Sequence, residues 1–367
     1  MKFSINKGEL QNALAVVSKG ISTRSTLPSL AGVYLKAQGN QLTLETTNLD
    51  LSIRHTVMAL VEEEGTALLP GKLFGDIVKS LPDASVTVSA THEEAYITCD
   101  KSSFAIQALN PDDFPGFPHV QTSQEISVDF PVFSSMVKKV ARNVSRDESR
   151  PILTGVLVNY ENGRLRMVAT DSYRLAITDV AVQAGEVEDF ECVIAGGFML
   201  DLAGLPKTED PITLALAENQ ILVRCGETVF VNRRIEGQYP PYQKLLPDGY
   251  STRARLQVSD LAASIKRASL MGNSSSPVRF DLNVASQTLQ VSAMTQDVGS
   301  AKEIVSASIE GEDMEIAFNF GYALEGLAGV EGDEVYMELQ SSTKPGILRA
   351  IEPENYLFLI MPVRIPS

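Results

Sequence analysis

The repeat structure of this chain is clearest in the segment Leu165-Arg166-Met167-Val168-Ala169-Thr170-Asp171-Ser172-Tyr173-Arg174-Leu175. The apolar residues Leu165, Met167 and Ala169 occupy every second position. This period-two pattern predicts a half-buried strand. The strand then ends in a polar run that does not suit a core. Similar segments begin at Leu42 and Leu289, about 123 residues before and after it. The sequence therefore predicts one structural unit used three times.

Each third of the chain combines strands with two amphipathic helices. The first helix places apolar or small residues at i, i+3, i+4 and i+7, which gives it one buried face: Leu10, Ala13, Leu14 and Val17; Phe133, Met136, Val137 and Val140; and Leu261, Ser264, Ile265 and Ala268. The second helix shows the same spacing, more loosely in the middle third: Phe74, Ile77, Val78 and Leu81; Phe198, Leu202 and Leu205; and Phe320, Ala323, Leu324 and Leu327. Gly39-Asn40 and Asn162-Gly163 supply the positive-φ residues of tight hairpins. We therefore predict an α+β fold of three domains, residues 1–121, 122–250 and 251–367.

The composition is typical of a globular protein that stays in a reducing compartment. The 367 residues are 44% hydrophobic and 21% charged, and the net charge is −15. The three Cys residues are far apart and fit neither a disulfide framework nor a metal site, so we expect reduced thiols and a cytoplasmic protein. The first residues resemble a strand rather than a signal peptide, and no apolar run reaches the ~18 residues of a membrane span. The negative charge argues against tight DNA binding through charge alone.

No catalytic or metal-binding constellation is visible in the sequence. His55, His92 and His119 all lie in the first third, and no Cys or carboxylate accompanies them at ligand spacing. Nucleophile-elbow and Walker motifs are absent. We interpret Asp171 and Arg174 as a turn cap and an ion pair. The sequence therefore predicts a binding protein or scaffold that is not an enzyme and uses no cofactor and no metal.

Cations are concentrated on the first helix of each third. In the middle third, Lys138, Arg142 and Arg146 follow one another at i, i+4 and i+8, with Lys139 adjacent and Arg150 beyond. The other two thirds carry Lys7, Lys19, Arg24, Lys266 and Arg267 in the corresponding region. Any one of these helices could simply present a solvated surface. Because the same helix is basic in all three units, we favour a functional role.

Several motifs, in this order, make the chain resemble the bacterial sliding clamps, the beta subunits of DNA polymerase III. The resemblance covers the whole chain. It rests on Met1-Lys2-Phe3, Arg24-Ser25-Thr26-Leu27-Pro28-Ser29-Leu30, Phe114-Pro115, Ala169-Thr170-Asp171-Ser172-Tyr173-Arg174-Leu175, Tyr239-Pro240-Pro241-Tyr242, Leu246-Pro247, Phe318-Asn319, Tyr322 and Met361-Pro362-Val363-Arg364.

The resemblance implies three repeated domains of the DNA clamp fold in a head-to-tail homodimer. Sheets would form the outside of a ring, and two helices per domain would line its hole. Such a ring encircles double-stranded DNA without reading its sequence and confers processivity, so weak phosphate contacts suffice. The DNA-contacting residues it implies are Arg24, Lys72, Lys138, Lys139, Arg142, Arg146 and Arg150. The dimer-interface residues it implies are Phe104, Ile106 and Leu270.

The resemblance also implies a groove between the second and third domains that binds short linear motifs. The implied partners are the DNA polymerase III alpha subunit, clamp loader subunits, other polymerases and repair proteins. The groove residues are Leu153, Thr170, Ser172, Tyr173, Arg174, Leu175, Pro240, Lys244, Leu245, Asn319, Tyr322, Met361, Pro362, Val363 and Arg364. The leucines, Met361 and Val363 would form an apolar pocket, and Arg174 and Arg364 would hold polar atoms of the peptide.

Two other classes of function compete with this interpretation. One is a general peptide-binding scaffold with no role on DNA. The other is an enzyme with a cryptic site in the Thr170–Arg174 loop, which would require Asp171 to support turnover of a substrate.

Overall fold

The computed structural model describes residues 1–22, 25–122, 124–182, 187–206, 208–272, 277–295 and 298–364. Within these ranges the chain forms six α-helices and 26 strands, and each third contributes two of the helices. The prediction of a repeated α+β unit with two helices is confirmed. None of the helices in the described ranges has the length and apolar character that a bilayer crossing needs.

The first third opens with a strand and runs directly into a helix. Its elements are β1 (Lys2–Asn6), α1 (Lys7–Val17), β2 (Gly32–Gln38), β3 (Gln41–Thr47), β4 (Leu51–Met58), β5 (Leu60–Glu63), β6 (Gly65–Pro70), α2 (Gly71–Ser80), β7 (Ser85–Ala90), β8 (Glu94–Cys99) and β9 (Ser102–Gln107). Asn6 caps α1, because its side chain accepts a hydrogen bond from the Gly8 amide at 2.8 Å. The predicted apolar face of α1 is buried.

The middle third follows the same order with eight strands instead of nine, since its described residues contain no counterpart of β5. Its elements are β10 (Gln124–Val128), α3 (Phe130–Val140), β11 (Gly155–Glu161), β12 (Arg164–Thr170), β13 (Arg174–Ala181), β14 (Phe190–Ala195), α4 (Gly196–Ala203), β15 (Ile212–Leu216), β16 (Gln220–Cys225) and β17 (Thr228–Arg233). The β11–β12 hairpin turns at Asn162 and Gly163, whose φ angles are 50° and 74°. The prediction of a tight turn with two left-handed residues is confirmed here, whereas at Gly39-Asn40 only Gly39, with a φ of 58°, is left-handed.

The last third has the same composition of elements. They are β18 (Thr252–Gln257), α5 (Val258–Ser269), β19 (Pro277–Asn283), β20 (Thr288–Thr295), β21 (Gly299–Ser306), β22 (Ser308–Gly311), β23 (Met314–Asn319), α6 (Phe320–Ala328), β24 (Glu334–Leu339), β25 (Gly346–Ala350) and β26 (Tyr356–Ile360). Asn319 caps α6 by accepting a hydrogen bond from the Tyr322 amide at 3.2 Å.

The chain divides into two compact units, and the first of them contains two sheets. This unit comprises Met1–Phe133, Ala184–Val187 and Gly204–Arg234. Its five-stranded sheet has the order β5-β1-β7-β8-β9. Its eight-stranded sheet has the order β10-β15-β16-β17-β4-β3-β2-β6, in which β17 and β4 pair antiparallel from Thr228 opposite His55 to Asn232 opposite Leu51. Strands of the first and middle thirds are thus joined edge to edge.

The second unit is built in the same way. It comprises Ser134–Gln183, Glu188–Ala203 and Ile235–Ser367. Its four-stranded sheet has the order β21-β20-β19-β23, and its nine-stranded sheet has the order β14-β11-β12-β13-β26-β25-β24-β18-β22. Here β13 of the middle third pairs with β26 of the last third, from Thr178 opposite Tyr356 to Arg174 opposite Ile360.

The basic helix predicted in the middle third is shorter than its charge spacing suggested. α3 ends at Val140, and a 3₁₀ turn covers Ala141–Asn143. The Asn143 amide closes the helix by donating hydrogen bonds to the carbonyls of Lys139 and Val140, at 3.0 and 3.1 Å. The prediction of one continuous helical stripe through Arg146 is therefore wrong. A buried amide side chain ends the helix, and charge periodicity cannot reveal that.

Candidate functional site

The Thr170–Arg174 turn connects β12 to β13 in the second unit. The Asp171 carboxylate accepts hydrogen bonds from the amides of Tyr173 and Arg174, at 2.9 and 3.1 Å. The Thr170 hydroxyl donates to the Arg174 carbonyl at 2.7 Å, and Ser172 adopts a φ of 80°. This network places Tyr173 outside and Arg174 inside. The interpretation of Asp171 as a turn cap is confirmed.

The Arg174 guanidinium is enclosed by groups from three segments. Its Nε lies 3.0 Å from Asp171, and one amino group donates to the Arg142 carbonyl at 3.3 Å. The other amino group forms an ion pair with Glu325 of α6. The guanidinium carbon lies 4.4 Å from the centre of the Tyr322 ring. Arg174 therefore joins β13 to α6, and only 9% of its side chain is exposed.

The C-terminal segment runs beside this turn. Beyond β26, the Met361 amide donates to the Tyr173 carbonyl at 2.9 Å, and the Val363 amide donates to the Ala317 carbonyl at 2.8 Å. These two hydrogen bonds hold the C-terminal segment between the Thr170–Arg174 turn and β23. Met361 and Arg364 are exposed, while Pro362 and Val363 are half-buried.

A buried cluster supports the turn from below. Leu175 of β13 packs in it with Leu359 of β26 and with Tyr239 and Tyr242 of the proline-rich segment. Burial raises the pKa of the Tyr239 hydroxyl well above its ordinary value. Residues from the end of the middle third and from the last third therefore share one core, which fixes the turn in place.

Three large apolar side chains remain exposed at this site. Tyr173 is 62% exposed, Leu245 51% and Met361 40%. Exposed apolar side chains that lie next to one another are typical of a docking surface, and the bond from the Met361 amide to the Tyr173 carbonyl brings two of these residues together. Lys244 is exposed on the same 3₁₀ turn as Leu245, Tyr242–Leu245. The exposed side chains therefore combine apolar area with positive charge.

The structure places all fifteen predicted groove residues in the second unit. Direct contacts or strand pairing join the Thr170–Leu175 segment to Tyr322 and Met361, and Tyr322 to Asn319. Leu153 is buried on the 3₁₀ turn Pro151–Thr154, and Pro240 accepts a hydrogen bond from the Tyr242 amide at 2.7 Å. Among the described residues, no direct contact ties the side chains of Leu153, Lys244, Leu245 or Arg364 to the rest of this set.

Lys139 behaves differently from the other predicted DNA-contacting residues. Its ammonium lies 3.1 Å from Glu331 and 3.2 Å from the Asn355 side-chain oxygen, and only 6% of the side chain is exposed. The hydroxyl of Ser135 and the ammonium of Lys139 hold the pKa of Glu331 below its ordinary value. Burial in this ion pair argues against a direct contact between Lys139 and DNA.

The remaining predicted cations fall into three groups. Lys72, Lys138, Arg142 and Arg146 are exposed. Arg150 is also exposed, but it pairs with Asp147 at 2.9 Å and donates to Ser172 at 3.0 Å. Arg24 lies outside the described residues.

The predicted dimer-interface residues lie at two places. Phe104 and Ile106 are on β9, an edge strand that pairs only with β8 among the strands described. Leu270 follows α5 and is 73% exposed. Among the described residues, no group of three or more His, Cys, Asp and Glu side chains is arranged to hold a metal ion.

Glu325 is the site residue that sequence reasoning missed. It lies three positions after Tyr322 on α6, so both side chains project from the same face of that helix. This spacing was visible in the sequence. The missing information was that the same face meets Arg174, 151 positions away, and only the tertiary structure supplies it.

Comparisons with known proteins agree along the whole chain. Residues 1–118, 127–241 and 243–364 match the N-terminal, central and C-terminal domains of the DNA polymerase III beta subunit. The chain is 31% identical to a beta sliding clamp from Staphylococcus epidermidis, over 99% of both chains. It is similar to the solved DNA polymerase sliding clamp of Bacillus subtilis, with 27% identity, full coverage of both chains and a TM-score of 0.95. A Pseudomonas aeruginosa clamp bound to griselimycin gives 25% identity, full coverage of both chains and a TM-score of 0.94. The chain therefore belongs to the DNA polymerase III beta subunit family, the beta sliding clamps.

Proposed function

We propose that this protein is a processivity clamp that encircles duplex DNA as a ring-shaped homodimer and tethers polymerases through the groove beside the Thr170–Arg174 turn. The observation that carries the proposal is the match of all three clamp domains in order along the chain. Members of this family tether other proteins to DNA and catalyse no reaction. We also propose that the three domains follow the predicted repeat boundaries and that the protein works in the cytoplasm.

A topological mode of binding reconciles the charge of the protein with a DNA partner. The chain carries a net charge of −15, which disfavours tight binding through phosphate contacts alone. A closed ring needs no such affinity, because the duplex cannot leave sideways. The exposed cations Lys72, Lys138, Arg142 and Arg146 would supply weak contacts that exchange as the ring slides.

The sheet topology supports a head-to-tail dimer. Each third contributes two groups of strands, and groups from consecutive thirds join through β17–β4 and β13–β26. By the same rule, β9 of the first third and β21 of the last third each lack a second neighbour among the strands described. Both are edge strands, and an exposed edge favours pairing with another chain. A second copy would complete both edges.

Side-chain burial supports the same pairing. Phe230 on β17 and Phe358 on β26 occupy corresponding positions in their repeats, and their exposed fractions are 1% and 0%. Phe104 on β9 is the third member of this set and is only half-buried. The difference is expected if β21 of a partner copy covers Phe104, as β4 and β13 flank the other two strands. In the corresponding register, Ala301 would lie opposite Phe104.

The groove would bind short linear motifs of replication and repair proteins. We propose the polymerase III alpha subunit, clamp loader subunits, other polymerases and repair proteins as partners, with the fifteen predicted residues as the binding surface. Tyr173, Leu245 and Met361 would contact apolar side chains of the motif, since they offer exposed area above a fixed core.

The test of DNA encirclement uses nicked circular DNA with the loader and ATP. We expect the protein to remain on circles and to slide off after the DNA is cut once. Retention on linear DNA with free ends would contradict topological binding. Replacing Arg142 and Arg146 by Ala should lower the yield and the salt dependence of loading onto circles, because weak phosphate contacts are lost, while rings already closed on circles stay trapped. No effect of that double variant in any DNA assay would favour a peptide-binding scaffold without a DNA role.

The test of the groove is a substitution of its exposed apolar side chains. Tyr173→Ala and Leu245→Ala should each weaken polymerase-peptide binding by about tenfold, because large apolar anchors dominate such interfaces. The matched control is Met58→Ala, which removes a side chain that is 68% exposed in the first unit. Unchanged peptide binding in both groove variants, measured by fluorescence anisotropy, would place the partner site elsewhere.

A further inference from the structure

This inference rests on the proposed groove and concerns its charge preference. Arg174 is the most buried cation among the predicted groove residues, and two carboxylates pair with it at different nitrogens. Asp171 lies 3.0 Å from Nε and is tied into the turn through two backbone amides. Glu325 pairs with one of the amino groups from α6. One guanidinium thus faces two negative charges.

The two carboxylates differ in how firmly they are held. The side chain of Asp171 is 14% exposed, and its oxygens serve the turn as well as Arg174. The side chain of Glu325 is 48% exposed, and Arg174 is the partner that the structure gives it. A long, half-exposed side chain can move away from its partner at modest cost, because solvent screens the pair. Glu325 is therefore the replaceable partner of Arg174.

We propose that Glu325 is a specificity-determining residue of the groove. It occupies the edge of Arg174 that a carboxylate of a bound peptide would otherwise use, and it must be displaced before such a group can pair there. A peptide with an acidic residue beside its apolar anchors would therefore bind more weakly than the arginine alone suggests. Neutral peptides that seat only on Tyr173, Leu245 and Met361 would not be affected.

The experiment compares the native protein with Glu325→Gln. Glutamine retains an oxygen that can accept a hydrogen bond from Arg174 but removes the negative charge. The probes are acetylated hexapeptides rich in Leu and Phe, made in pairs that differ only by Asp or Asn at one scanned position. We expect Glu325→Gln to strengthen binding of the Asp members by about three- to tenfold and to change the Asn members by less than about twofold. Calorimetry gives the Kd values.

The control variant is Glu161→Gln, which removes an exposed charge at the hairpin end of β11, opposite Arg164, where β12 begins. That end lies six residues from Thr170, roughly 20 Å along the strand, where salt at physiological strength screens the charge. The control should leave the Asp-to-Asn ratio unchanged. Equal tightening of both members, no change, or weaker binding in Glu325→Gln would each overturn the proposal.

A separate readout distinguishes this inference from the proposed groove. Griselimycin, which is bound in the structure of the related Pseudomonas clamp, serves as an independent ligand. If griselimycin and the peptides bind but the Asp-to-Asn ratio stays constant, only the role of Glu325 fails. If neither griselimycin nor any peptide binds the native protein, the proposed groove fails and the inference fails with it.

Discussion

Arg174 shows how one residue can link two repeats. It belongs to a strand of the middle third, yet its guanidinium contacts Tyr322 and Glu325 on a helix of the last third. Removing it would leave Asp171 and Glu325 without their shared cation. We therefore expect Arg174→Ala to change stability as well as binding. For that reason the exposed residues Tyr173 and Leu245 give a cleaner test of peptide contact.

His55 should make the folding stability of the protein depend on pH, and a single substitution can isolate its contribution. Burial lowers its pKa from the ordinary value of 6.5, an effect that Glu227 and Glu9 oppose, and its Nδ1 lies 2.8 Å from the Thr228 hydroxyl. The unfolded chain therefore takes up a proton on this ring at a higher pH than the folded chain does. Stability should fall as the pH drops through about 6.5.

The measurement is thermal unfolding of the native protein and of His55→Gln between pH 8 and pH 5.5. Glutamine can keep the hydrogen bond to Thr228 but does not titrate. The difference in stability between the two proteins should be constant above about pH 7.5 and should shift in favour of the variant at lower pH. Parallel curves over the whole range would contradict the assignment, since all other titrating groups are shared.

At the scale of elements, α3 shows that corresponding positions of a repeat can serve different purposes. Lys139 lies six residues after Phe133 and is buried against Glu331. The corresponding residue of α1 is Val16, which is buried, and that of α5 is Arg267, which pairs with Glu303. A basic residue at this position of the repeat therefore does not by itself indicate a DNA contact.

Lys138 and Lys139 form a matched pair for testing this distinction. Lys138→Ala removes an exposed charge and should weaken DNA contact, lowering the salt dependence of binding while the melting temperature stays constant. Lys139→Met removes the buried partner of Glu331 and should lower the free energy of unfolding by about 1–3 kcal/mol. It should leave DNA contact unchanged. The reverse pattern, with DNA binding lost only in Lys139→Met, would contradict the structure.

At the scale of the whole molecule, the unfinished sheets predict the oligomeric state. Within the described part of the chain, β9 and β21 lack the outer neighbour that their counterparts in the other thirds have. We expect light scattering to give the mass of two chains in solution. Because Phe104 would be covered by the partner, Phe104→Asp should raise the dimer dissociation constant by at least about a hundredfold, as expected for a charge placed in a desolvated interface.

The control for this variant is Tyr96→Ala on β8 of the same sheet. Tyr96 is 48% exposed but does not lie on the edge strand, so its removal should leave the dimer intact. A monomeric native protein, or a Phe104→Asp variant that remains fully dimeric at nanomolar concentration, would remove the support that the sheet topology gives to a ring.

The sequence by itself determined the threefold repeat, the two helices of each unit, the buried faces of α1, α2, α3 and α5, and the Asn162-Gly163 hairpin. These features depend on side-chain period and on local backbone preference, which a chain carries wherever it folds. The motifs in order along the chain were also sufficient to indicate the clamp family.

Only the tertiary structure decided which charges are available and which edges are open. Lys138 and Lys139 are adjacent in sequence, yet one is exposed and the other is paired with Glu331, 192 positions away. The position at which α3 ends depends on the buried Asn143. Whether Arg174 already has an ion-pair partner on α6 depends on Glu325. The physical reason is that desolvation and ion pairing depend on the groups that folding brings together, and distance along the chain does not specify these groups.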